Sequence, residues 1–235
     1  MNDIKGLIVS ELEKIDRNGI KKLIKFMDNE GFFVAPASAN YHLNCKGGLA
    51  KHSWNVFKNY KKLVSEHKGL DIPLNSIRIQ ALCHDLCKID QYKIDDEPPT
   101  KRQLSYLESL ANKRNISIST GLSKKYASAL IDWLKNNPNG NRPEKEESWV
   151  YDEERVVPLG HGEKSVMLLQ SHLGELTVEE VLAIRWHMGP WESGVVDGRK
   201  NSDFNAATGR VPDVYFLHLS DYLATAQEEF DLGAL

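Results

Sequence analysis

The sequence holds little that would tie it to a membrane or to an oxidising compartment. It has three cysteines in 235 residues, which is no disulfide framework. Cys83 and Cys87 are one helical turn apart, where β-carbons stand about 5–6 Å from each other. A disulfide needs about 3.8 Å, so a reducing, cytoplasmic setting is expected. No apolar run approaches the roughly 20 residues that span a bilayer. The opening Met1-Asn2-Asp3-Ile4-Lys5 lacks the basic stretch and apolar run of a signal peptide. Strand signals are few, and there is no internal repeat. The net charge of -3 points the chain as a whole to no charged partner. What is there is an ordinary globular composition, 41% hydrophobic and 27% charged, enough for one core carrying a small insert.

Helical periodicity dominates. Ile4, Leu7, Ile8, Leu12 and Ile15, then Ile20, Leu23, Ile24 and Met27, predict helix over 3–28 with a break near Gly19. Residues 31–48 turn to proline, glycine and small side chains, a loop pinned by Phe32 and Phe33. Leu49, Val56, Phe57, Tyr60, Leu63 and Val64 form the apolar stripe of a helix over 49–67. Pro73 suits the start of another, with Ile77, Ala81, Leu82, Asp85, Leu86 and Ile89 on one side. Thr177 and Glu180 make a capping box for a helix ending near His187. Residues 91–97 read as a polar exit, and Asp152-Glu153-Glu154 would suit the turn of a short hairpin. Residues 190–210, rich in glycine, asparagine and serine, predict a long loop. A last helix over 212–229 places Val214, Leu217, His218, Asp221 and Ala224 on one face.

Several of these apolar faces carry polar groups that are costly to bury unless paired or bound to a cation. His52 lies on the stripe of its helix. His84 and Asp85 interrupt Ala81-Leu82-Cys83-His84-Asp85-Leu86-Cys87-Lys88. His161 stands in Pro158-Leu159-Gly160-His161-Gly162, His187 in Ile184-Arg185-Trp186-His187-Met188-Gly189, and Asp221 in Leu217-His218-Leu219-Ser220-Asp221-Tyr222. The order His…His-Asp…His…His…Asp resembles the pattern of the HD-domain metal-dependent phosphohydrolase superfamily. The resemblance covers most of the chain outside a middle segment. It departs at Cys87, where the family often has glycine before the lysine. A similar Pro-Ala-Ser stretch precedes the first ligand helix in such proteins, which leaves His42 either at the substrate or on the surface.

The resemblance implies an all-α HD-type helical bundle. It implies metal ligation by His52, His84, Asp85, His161, His187 and Asp221. Four of these suffice for one ion, and His161 and His187 are the extra nitrogens of a second, with Asp85 as the bridge. Mixed nitrogen and oxygen donors suit iron or manganese, with magnesium, cobalt, nickel and zinc as further options. Paired ions lower the pKa of a shared water and clamp both oxygens of a phosphoryl displacement, so the expected nucleophile is a bridging hydroxide. Asp85 and Lys88 are then the catalytic pair, with Lys88 neutralising a phosphate oxygen. His42, Lys164 and Arg185 are further substrate-binding candidates. Cys83 and Cys87 default to small buried hydrophobes.

The middle of the chain changes composition. Thr100 is placed to cap one helix and Ser123 a second, with an extended stretch over 115–121 between them. This layout resembles small SAP-like modules attached to nucleic-acid-processing proteins. Residues 98–138 carry seven basic and two acidic side chains, a net of +5. Lys101, Arg102, Lys113, Arg114, Lys124 and Lys125 are the candidate phosphate contacts, against the plainer reading of a solvated helical face. The expected organisation is a first part over 1–97, the basic insert over 98–138 and a second part over 139–235. Two substrate classes stay open. One is nucleic acid or oligonucleotide, with the insert guiding a strand. The other is a free or signalling nucleotide, with the insert serving packing or self-association.

Overall fold

Asp3 opens the first helix by accepting the Gly6 backbone N–H at 3.0 Å, as an N-cap does. The computed structural model describes residues 3–39, 41–145, 147, 149–154, 157, 159–191 and 198–230. α1 (Ile4–Leu12) buries Ile8 and Leu12, and α2 (Ile20–Asn29) buries Ile20, Leu23 and Met27. Arg17, in the break between them, forks onto Glu180 at 2.7 and 2.9 Å. Glu180 is fully buried and also accepts from Ser76 Oγ at 2.9 Å.

The loop over 31–47 ends in a turn that demands glycine. Gly47 has φ +77°, and a Cβ on Gly48 would overlap the Leu43 carbonyl oxygen. α3 (Gly48–Glu66) starts there, which fixes where His52 emerges one turn later. α4 (Leu74–Cys83) follows Pro73. It is shorter than its periodicity predicts. The α-ladder stops before Asp85, which has φ -105° and ψ 24°, and a 3-10 turn runs over Leu86–Asp90. In that tighter turn residues three apart eclipse, so Lys88 stacks directly on Asp85.

The chain then forms β1 (Tyr92–Ile94), α5 (Lys101–Lys113), α6 (Lys124–Asn136) and β2 (Trp149–Tyr151). β1 pairs with β2. This corrects two expectations. Residues 91–97 are not simply a polar exit, and Trp149–Tyr151 finds its partner far back in sequence rather than across a local turn at 152–154. Thr100 caps α5 in a box with Gln103, and Ser123 caps α6. Residues 115–121 between them form turns and irregular backbone rather than a strand.

α7 (His161–Leu173), α8 (Val178–Arg185), a 3-10 turn over Gly189–Trp191, α9 (Gly198–Thr208) and α10 (Pro212–Glu229) complete the chain. α9 occupies much of the expected 190–210 loop. Phe204 and Ala207 there pack with Trp186, Val211 and Val214, and that burial supplies what the polar composition hid. Residues 192–197 of the expected loop lie outside the described residues.

Among the described residues the structure is all-α apart from two three-residue strands. It divides into two compact units, Met1–Tyr92 with Tyr151–Leu235, and Lys93–Val150. The expected insert falls within the second. In the larger unit α3 packs against α10 and α4, α10 against α8, and α7 against α8 and α2. Leu12, Leu23, Leu49, Val56, Ile79, Leu82, Leu169 and Leu217 share its core. The smaller unit has its own core of Leu107, Ala111, Leu122, Ala127, Leu130 and Leu134. Among the described residues no helix is long and apolar enough to cross a membrane.

Candidate metal centre

The six side chains expected as ligands come from five places in the larger unit. His52 is on α3, His84 and Asp85 stand at the end of α4, His161 begins α7, His187 follows α8, and Asp221 is on α10. Gly162 allows α7 to meet α8 closely, because a Cβ there would overlap the carbonyl oxygens of Ile184 and Arg185. His52, His84, Asp85 and His187 are buried, and Asp221 nearly so, with 15% of its side chain exposed.

Asp85 sits in the middle. Its Oδ2 is 2.7 Å from Lys88 Nζ, 3.4 Å from His84 Nε2 and 3.9 Å from His52 Nε2. Its Oδ1 is 3.4 Å from His187 Nε2. Asp221 Oδ1 lies 3.0 Å from His52 Nε2 and 4.0 Å from His84 Nε2. Ligand atoms of His52, His84 and Asp85 lie within 4.8 Å of one another, as do those of His84, His187 and Asp221, and those of Asp85, Cys87 and His161. Asp85 belongs to two of these groups, and His161 joins the cluster through it.

The tautomers are set from outside. His84 Nδ1 is 2.9 Å from the Ala81 carbonyl oxygen, and His187 Nδ1 is 2.7 Å from that of Ile184. A carbonyl only accepts, so each Nδ1 carries a proton and each Nε2 is the ring nitrogen turned inward. Both Nε2 atoms are buried without a hydrogen-bond partner, and so is His161 Nδ1. Buried polar atoms are nearly always satisfied, so unpartnered ring nitrogens converging on two carboxylates mark a place for a cation. The residues present could hold a metal ion, with imidazole nitrogens and carboxylate oxygens as its donors.

The electrostatics agree. Burial opposes ionisation of Asp85, yet Lys88, with His84 and His187 alongside, holds its carboxyl well below the usual range. Burial likewise opposes charge on Asp221, and His52 outweighs it, lowering that pKa. Burial disfavours a charged His52, but hydrogen bonds to Asp221 and Glu228 raise it to about 10. Burial pushes the Cys87 thiol up to about 12, so Cys87 is a neutral small side chain rather than a thiolate.

Glu228 is a residue that the sequence reading missed. Its Oε2 lies 2.9 Å from His52 Nδ1, and its Oε1 accepts from Asn55 Nδ2 at 2.8 Å. The available signal was its place on α10, seven residues beyond Asp221 and so on the same helical face. His218, also on α10, turns its Nδ1 to the His187 carbonyl oxygen at 2.6 Å. His42 stands beside this group, its ring 5.0 Å from that of His52, with neither ring nitrogen hydrogen-bonded.

A cavity of about 700 Å³ opens over the centre and is lined in part by His42, His52, Lys88, His187 and Asp221. Lys164 and Arg185 are not in its wall. Lys164 pairs with Asp90. Arg185 reaches Glu163 at 2.7 Å and lies over the Trp186 ring. In the smaller unit Lys101, Arg102, Lys113, Arg114 and Lys125 are exposed. Lys124 is partly buried and pairs with Glu97 at 3.0 Å. Across Lys93–Val150 ten basic side chains meet eight acidic ones, a net of +2, so acids flanking the basic helices offset much of their charge.

Comparison of the chain with protein-family models, with curated proteins and with solved structures finds no match in any of the three.

Proposed function

We propose that the chain is a metal-dependent phosphohydrolase of HD-domain type, acting on phosphate esters of nucleic acids or oligonucleotides. One observation carries the reading: the buried, unpartnered Nε2 atoms of His84 and His187 face Asp85, with His52 and Asp221 beside them. His52, His84, Asp85 and Asp221 would hold one divalent ion, and Asp85, His161 and His187 a second, iron or manganese by donor type. Bound there, such ions supply Lewis acidity and a water acidic enough to ionise near neutral pH. Asp85 holds the two ligand groups together. Lys88 lines the cavity and offers its ammonium to a phosphate oxygen as charge builds there.

The alternative substrate, a free nucleotide, gains support from two observations. The described residues that line the cavity belong to the larger unit, and the smaller unit nets only +2. The deciding experiment loads the purified protein with manganese or iron and offers it nucleotides and labelled single-stranded DNA and RNA. Turnover that a chelator and Asp85→Ala both abolish supports hydrolysis, and the preferred substrate chooses between the readings. A metal-loaded protein that cleaves none of them refutes the assignment.

A further inference from the structure

α10 brings more to the cavity than a ligand. His218, Tyr222, Thr225 and Glu229 succeed one another at three- and four-residue steps around Asp221, so one face of the helix runs along the cavity wall. Tyr41, Met188 and Leu219 line it too. Tyr41 is 76% exposed and Tyr222 69%. Single exposed apolar residues are ordinary. Two tyrosines, a methionine and a leucine around one opening above a buried polar centre form the kind of wall that a bound ligand covers.

The charge of the wall narrows the ligand. Among the described residues Lys88 is its one lysine or arginine, and Glu229 adds a carboxylate. Lys164 and Arg185, the other cations in reach of the motifs, are held by Asp90 and Glu163 and stand outside it. One phosphate group is matched by the metal centre and Lys88. A polyphosphate chain would carry further negative charge along a wall whose described residues offer no other lysine or arginine and include Glu229, which like-charge repulsion disfavours. A flat ring against Tyr41 or Tyr222 gains the stacking that holds nucleobases on aromatic side chains. The Thr225 hydroxyl and the Glu229 carboxylate are acceptors for sugar hydroxyls.

We infer that this cavity selects a single nucleoside monophosphate unit, base and sugar on the Tyr41–Tyr222–Thr225 wall and its one phosphate at the metal centre, and discriminates against polyphosphates. The inference rests on the phosphohydrolase reading. The unit is either a free nucleotide or the end of a strand. In both, the water oxygen bonds to phosphorus, the phosphorus–oxygen ester bond breaks, and the departing oxygen takes up a proton. The products are nucleoside and phosphate in one case, and nucleotide and a shortened strand in the other.

The test uses the full manganese-loaded chain with adenosine monophosphate, ribose 5-phosphate, adenosine triphosphate and a dinucleoside monophosphate. The expected kcat/KM for adenosine monophosphate exceeds that for ribose 5-phosphate, which has no base, by about tenfold or more, the scale of one stacked base. It exceeds that for the triphosphate by a similar factor. Replacing Tyr41 and Tyr222 together by alanine should bring the ratio of monophosphate to ribose 5-phosphate toward one. Comparable turnover of the dinucleotide assigns the strand end, and turnover of the monophosphate alone assigns the free nucleotide. Equal use of ribose 5-phosphate by the wild-type protein, or preference for the triphosphate, overturns the inference. Calorimetric titration with the same compounds separates the two levels. If nothing is hydrolysed but adenosine monophosphate binds tenfold more tightly than ribose 5-phosphate, the hydrolase reading falls and the cavity assignment stands. If neither binds, the cavity assignment falls as well.

Discussion

Replacing Glu228 by alanine should weaken metal binding without touching a ligand. In the structure the carboxylate accepts from His52 Nδ1 at 2.9 Å and from Asn55 Nδ2 at 2.8 Å. Burial opposes its ionisation, but the hydrogen bonds and charge of His52, with Asn55 and His42, keep its pKa low, so it is a carboxylate. It therefore holds the His52 Nδ1–H and sets the ring so that Nε2 faces Asp85 and Asp221. Losing such an orienting partner typically costs 10–100-fold in metal affinity, or about 1.4–2.8 kcal/mol. The fold should also lose about 1–3 kcal/mol, because a buried donor is left without an acceptor. Calorimetric titration of manganese into wild-type and variant protein measures the first effect, and thermal unfolding of the metal-free proteins the second. Glu228→Gln is the informative intermediate. Its amide oxygen still accepts from Nδ1, and Asn55 can turn its own oxygen to the new amide, so most of the affinity should return. Wild-type manganese affinity in Glu228→Ala would refute the orienting role, whatever happens to stability.

Arg17→Ala supplies the matching control. It strands the fully buried Glu180 carboxylate and, because Arg17 is itself partly exposed, should cost about 3 kcal/mol, the low end for a broken buried pair. For a chain of this size that lowers Tm by roughly 6–12 °C, with manganese affinity unchanged. Elemental analysis of anaerobically prepared protein should find about two divalent ions per chain, falling toward one in His161→Ala and His187→Ala. A value of one that neither variant changes reduces the centre to a single ion. Lys88→Ala should keep its metals and lose turnover, and normal turnover would remove Lys88 from the chemistry. Changing Lys101, Arg102, Lys113 and Arg114 to glutamine should flatten the salt dependence of single-strand binding by up to about 2.8 in log–log slope, at about 0.7 per phosphate contact. A wild-type protein with no salt-sensitive binding leaves the smaller unit a packing or self-association element.

The parts of the centre that were legible in the sequence were those written as contradictions. His52 on an apolar stripe and Asp85 in an apolar run are visible because burying them without partners is so costly. What the sequence hid was pairing between distant elements. Nothing near Glu228 announces that α10 crosses α3 where Asn55 and His52 wait for a carboxylate. Nothing in Tyr92–Ile94 announces Trp149–Tyr151 as its partner strand. Periodicity carried α4 through Asp85 because Leu86 and Ile89 continue the helical spacing, whereas the backbone tightens into a 3-10 turn that closes Lys88 onto Asp85.

Charge was the least legible property. Lys88, Lys164 and Arg185 look alike as cations near motifs, yet only Lys88 lines the cavity, while Asp90 and Glu163 hold the other two. The basic stretch over 98–138 is real in composition, but Glu97 takes Lys124, and the acids on either side leave the whole unit near neutrality. A count of charges along the chain therefore overstates what a phosphate meets. The counter-charge is set by the fold: Lys88 pairs with Asp85 yet faces the cavity, whereas Lys164 and Arg185 pair with carboxylates outside its wall. On that separation rests the proposed preference for a ligand bearing a single phosphate, a restriction that the same cations counted in sequence would not impose.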